Sequence, residues 1–212
     1  MKYSDVAMLV LALIAVFLLV FPPTHDAFFS FTDRYYLFGG FIKFFLFATG
    51  GDLLSHRIRA GDWRVDGLFL KAMAWGVLGV FISLVFIIFP AGVDVLQVEG
   101  LLPDTSLFIV TPLLTSVLMN LLFAPTLMLT HRVSDEYIEM RVKKNGKSLK
   151  QAIDSIDFSA YFSMLFRTIP LFWIPAHTVT FILPETFRPL FAALLGVMLG
   201  LFLNLFKRSA SS

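Results

Sequence analysis

Five polar residues stand inside runs otherwise fit for hydrocarbon: Lys43, Asp52, Asn120, Arg167 and His177. An ionisable group is costly inside a bilayer and by default marks a solute or ion route. Lys43 lies too deep in its run for its ammonium to reach headgroups easily, and Arg167 lies at comparable depth. Asp52 is the one clear carboxylate among them, so two mid-depth cations lack a full set of acids. Either water and mobile anions supply the missing partners, or backbone carbonyls do. Asp52 and His56 share a helical face. That acid forms the inner mouth of a solute path or pins its helix end to a basic neighbour. Covalent chemistry is excluded more firmly. The chain has no cysteine, hence no disulfide, thiol nucleophile or thiolate metal site. It has no GxSxG elbow, HExxH pair or phosphate-cradling glycine loop, and its four histidines are scattered. No enzyme, cofactor or metal is expected.

The stretch from Arg167 to Arg188 positions two of these residues. It is apolar apart from Arg167 and His177, and holds two interior prolines, Pro170 and Pro175. Each proline removes a backbone hydrogen bond and crowds the preceding turn, which predicts a kink. Freed carbonyls survive in a bilayer only where protein or trapped water satisfies them. A hydrated, mildly cationic interior follows, anion-preferring if Lys43 and Arg167 face it.

The surrounding elements are read from run length. The chain has 212 residues, 58% hydrophobic and 15% charged, with 25 phenylalanines, against about a quarter charged in soluble domains. Its mean hydropathy is +0.81. Apolar runs near twenty residues long predict one all-α, polytopic membrane domain with six spans. These are about 6–21, 35–54, 67–89, 107–130, 158–183 and 186–206. Lys2 before an apolar run imitates a secretory signal, but no small-x-small site precedes Pro22, so an uncleaved first helix is expected. The alternative is four or five spans, with the first helix on the surface or the fifth re-entrant.

Orientation follows from the basic residues. With both termini cytoplasmic, 12 of the 17 Lys and Arg lie inside and only Arg34 and Arg188 outside. The loop 90–106 carries three acids and no Lys or Arg, as an outside loop should. Residues 131–157 read as a cytoplasmic piece of two short amphipathic helices broken at Asn145-Gly146. Its cluster Arg141, Lys143, Lys144, Lys147 and Lys150 attracts anionic lipid or only enforces topology. Nucleic-acid binding is not expected, because no aromatic platform or groove-reading motif accompanies these charges.

Small residues predict where helices approach. Gly50 and Gly51 admit a neighbour beside Asp52, and Ala192, Gly196 and Gly200 form a GxxxG-type face on the sixth span. Its partner is another helix of this chain or of a second copy in a homo-oligomer. Ala72, Gly76 and Gly79 give a weaker echo on the third span.

Four motifs carry a resemblance. They are Gly51-Asp52-Leu53-Leu54-Ser55-His56, Trp75-Gly76-Val77-Leu78-Gly79 and Phe123-Ala124-Pro125, then Trp173-x-Pro175 with Phe181 and Pro184-Glu185-Thr186-Phe187-Arg188. Together they resemble the Mpv/peroxisomal membrane protein family, small helical proteins of the mitochondrial inner membrane and peroxisomes with bacterial relatives. The resemblance spans residues 35–206 and implies a pore or channel for small solutes. A bacterial cytoplasmic membrane is the expected location, since the N-terminus is apolar rather than Arg- and Ser-rich; the mitochondrial inner membrane is the alternative. The competing function is a non-conducting scaffold that organises lipid or partners through residues 131–157 and the glycine face of the sixth span.

Overall fold

The computed structural model describes residues 3–143, 148–196 and 198, and every regular element among them is helical. Helix α1 (Tyr3–Val20) stops where Phe21 turns extended and Pro22 opens α2 (Pro22–Arg34). Proline suits a first helical position because the missing N–H would be unpaired there anyway. The Thr24 hydroxyl donates to Leu18 O at 2.6 Å and supplies one of the carbonyls left over at the end of α1.

The next rod runs Tyr36–Ala60: α3 (Tyr36–Lys43), a π-helical segment (Phe44–Ala48) and α4 (Thr49–Ala60). Gly61, at φ 80°, ends it by returning its N–H to Arg57 O. Helix α5 (Leu68–Val98) has 31 residues. At 1.5 Å per residue it is about 46 Å long, more than a hydrocarbon core requires. Helices α6 (Val110–Leu122) and α7 (Ala124–Val142) meet at a 46° bend at Phe123, with proline again at the start of the second. The short α8 (Leu149–Asp154) carries a capping box from Ser148 and Gln151. A last broken rod, Phe158–Ile182, joins α9 (Phe158–Thr168), a π segment (Ile169–Trp173) and α10 (Ile174–Ile182). A further helix covers 188–196.

Among the described residues, four helices or rods are long and apolar enough to cross a membrane: Tyr3–Val20, Tyr36–Ala60, Leu68–Val98 and Phe158–Ile182. The bent α6–α7 pair makes a fifth. Of the expected sixth span, residues 186–196 and 198 are described and the remainder lies outside the described residues. Side-chain bonds show which ends lie together. Arg57 grips Asp5 at 2.7 and 2.8 Å, so the start of α1 sits beside the end of α4. Lys71 meets Glu139 at 2.7 Å, which puts the end of α7 on that face too. At the opposite face Thr186 donates to Asp33 at 3.1 Å.

The core lies where α5, α6, α10, the first π segment and the 188–196 helix converge. Phe44, Ile82, Phe86, Met119, Phe181 and Ala193 are all buried there. The outward faces stay apolar: Phe69, Phe81, Ile88, Phe166 and Leu171 are all more than half exposed. Exposed apolar belts of this extent fit a hydrocarbon surrounding. The tightest crossing is α3 on α5. A Cβ built on Gly79 would lie 2.7 Å from Gly40 O, and one on Gly40 would lie 2.9 Å from Gly79 O. The weaker glycine pattern of the third span is therefore the one that packs.

Several expectations need correction. The third span continues through Pro90 to Val98, so the acidic outer connection begins at Glu99 rather than Pro90. Residues 131–142 prolong α7 instead of forming a separate surface helix, because the polar sequence keeps helical spacing beyond the apolar run. The stretch between the first two spans is itself helical, as α2. At the two prolines, where a kink is expected within one span, Pro170 falls in a π segment, whose wider turn absorbs the disrupted ladder, and Pro175 sits in the first turn of α10. Gly50 is exposed, and a Cβ added there meets nothing within 4 Å, so it is not a packing contact.

Candidate functional site

Helices α4, α5 and α7 bring one cluster together. Asp52 comes from α4, Trp75 from α5, and His131 and Asp135 from α7, one turn apart on one face. The Trp75 indole N–H donates to Asp52 Oδ2 at 2.6 Å. A hydrogen bond to a charged acceptor contributes roughly 1.5–3 kcal/mol. The His131 ring lies against Trp75, centroids 4.1 Å apart. Its Nε2 is 3.9 Å from Asp52 Oδ2 and its Nδ1 is 3.9 Å from Asp135 Oδ1. One ligand atom from each of Asp52, His131 and Asp135 lies within 4.8 Å of the others.

This cluster is the neck between two cavities. The first, about 650 Å³, opens among α4, α5, α7 and α9 and is lined by five carboxylates, five basic side chains and two histidines. Among its charges, Lys71 pairs with Glu139, and Arg132 with the neighbouring Glu136, each at 2.7 Å. Nearby, His56 lies 3.4 Å from Asp62. The Arg64 backbone N–H, 2.8 Å from Asp62, holds that carboxyl below its ordinary range, helped by His56. The second cavity, about 230 Å³, is apolar, walled by Phe44, Ile82, Phe86, Met119, Phe123 and Leu127. Asp52, Met128 and His131 line both.

His177 and Trp173 line the apolar chamber, their rings stacked with centroids 5.3 Å apart. Asn120, fully buried, meets His177 Nδ1 at 3.1–3.2 Å, the tautomer deciding which group donates. Asn120 Nδ2 also donates to Ser116 O at 2.8 Å, and Ser116 Oγ donates to Ile174 O at 2.7 Å. This chain of bonds ties α6 to α10 and fixes the imidazole.

The five residues singled out from sequence separate in space. Asp52 and His177 line the cavities and Asn120 positions His177. Lys43 and Arg167 line neither cavity. Lys43 is 1% exposed, with Nζ 3.4 Å from Thr186 O and 5.4 Å from the Phe29 ring. Its long stem carries the ammonium along the bundle to carbonyl and aromatic partners near the far face. Arg167 is exposed on the outer side of α9. The anion preference expected from this pair therefore loses its basis. Ala192 and Gly196 line the apolar chamber, but Gly196 is exposed and an added Cβ meets nothing within 4 Å, so none of the described residues packs tightly against it. Gly200 lies outside the described residues.

The remaining motif residues hold structure. Gly51 is buried and Ser55 half-buried on α4. Arg188 donates to Leu183 O and Phe181 O at 3.0 and 3.2 Å, capping α10 beyond the Pro184 turn. The sequence reading missed His131, Asp135 and Trp75 as neighbours of Asp52. The available signal was the His-x-x-x-Asp spacing of 131–135. Compared with protein-family models, curated proteins and solved structures, the chain shows no significant match to any.

Proposed function

We propose that the chain forms a passage for small solutes across a bacterial cytoplasmic membrane, as a member of the Mpv/peroxisomal membrane protein family, with six spans and both termini inside. The observation that carries this reading is the pair of cavities whose walls share Asp52, Met128 and His131. A polar vestibule gathers solute from the basic face, and an apolar chamber beyond it bars hydrated species until it widens or wets. Hydrophobic constrictions gate by dewetting in this way. With acids and bases balanced on the vestibule wall, the passage suits small neutral or zwitterionic solutes better than a single ion sign.

Solute efflux from proteoliposomes tests this. Met128→Ser puts a hydroxyl at the neck and should raise the rate several-fold, whereas Phe86→Trp, filling the chamber, should lower it. Folded parent protein with no flux, and no gain in Met128→Ser, would sink the passage. The scaffold reading would then stand ahead, favoured by the open face at Gly196 and by the basic cluster of residues 141–150, which would hold anionic lipid.

A further inference from the structure

The neck holds more acid than its neighbours neutralise. Lys71 and Arg132, the basic side chains next to it on α5 and α7, are each taken by another carboxylate at 2.7 Å. Asp52 and Asp135 are left with His131 between them, at 3.9 Å on either side, too far for a hydrogen bond. His131 Nδ1 and Asp135 Oδ1 are also buried with no hydrogen-bond partner. Buried polar atoms without a partner are rare in folded proteins and call for a missing one. A ring nitrogen and a carboxylate oxygen orphaned side by side, with a second carboxylate within 4.8 Å, suit a small cation that the nitrogen lone pair and both acids can bind.

We propose that Asp52, His131 and Asp135 bind a divalent first-row metal ion, with Zn²⁺ the best fit, and that water from the vestibule completes its shell. Two carboxylate oxygens and one imidazole nitrogen make an open three-ligand site of the kind Zn²⁺ accepts. One ligand atom from each side chain lies within 4.8 Å of the others. Zinc bonds of about 2.0–2.2 Å place ligand atoms roughly 3.3–3.6 Å apart, so the three close on an ion by about 1 Å. His131 and Asp135 come from one helix at i and i+4, which makes them a chelating pair, and Asp52 closes the site from α4. Trp75 fixes Asp52 by a hydrogen bond to the oxygen that faces His131, as outer groups orient metal-binding carboxylates. The site stands on these side chains alone and does not depend on whether the chain conducts.

The purified full chain in detergent is titrated with Zn²⁺ by calorimetry and with Co²⁺ by visible absorption. One ion per chain should bind in the micromolar range or tighter. His131→Gln and Asp135→Asn should each weaken binding about tenfold or more, while Glu99→Gln, at the far end of α5, should leave it unchanged. Zn²⁺ should also protect His131 from diethylpyrocarbonate in the unaltered protein, read by mass spectrometry, which needs no variant to fold. Absence of saturable binding overturns the proposal. So does unchanged affinity in both variants, or protection of another histidine only, since either marks adventitious binding elsewhere.

Discussion

Asn120 shows what one side chain decides here. It is the only buried amide against the His177 ring among the described residues, and it spends its other hydrogen on the Ser116 carbonyl. Asn120→Leu keeps the volume but leaves the His177 nitrogen unpaired in a dry core, so the detergent melting temperature should fall by an amount equivalent to roughly 1–2 kcal/mol. Ser116→Ala should cost less, because Ile174 O keeps the Thr178 hydroxyl at 2.8 Å. Both Asn120 and His177 were legible in the sequence as polar residues in apolar runs. Their pairing was not, since nothing in one chain's periodicity says which helix faces which. Lys43 misled for a different reason: residue depth is set by its Cα, whereas the position of its charge is set by a four-carbon stem.

At the level of elements, glycine spacing announced close approach but not where it occurs. Gly79 meets backbone across α3, while Gly196 faces open space. Gly79→Ala should therefore destabilise by about 1–3 kcal/mol through overpacking, and Gly196→Ala should be near neutral. Thermal melts of the two variants side by side decide this, and equal losses would place a partner on the Gly196 face. Run length placed the starts of the lipid-fit helices to within three residues, because apolar runs of that length have few other uses. Continuation of α7 past the apolar run escaped notice because it is held by contacts such as Lys71 with Glu139 rather than by hydropathy, and continuation of α5 past Pro90 because a proline reads as a stop. The π segments were likewise invisible: a proline predicts a disturbed ladder without choosing between a break and a wider turn.

The whole molecule has two distinct faces, and their sidedness is open to direct measurement. With no native cysteine to give background, Ser106→Cys beyond α5 should react with an impermeant maleimide in intact cells. Lys150→Cys on α8 should react only after lysis. Labelling of both from one side would sink the proposed topology. If the vestibule does fill from one face, the membrane voltage is redistributed along the protein. Water reaching as far as His131 carries the potential of that compartment to the neck, so the drop is confined to the dry chamber and the layer beyond it. A charge moved through that layer would feel nearly the full difference, about 2.3 kcal/mol per 100 mV, over only a fraction of the bilayer's thickness. The shape of the water, more than any residue that carries charge, would make such a protein sensitive to voltage.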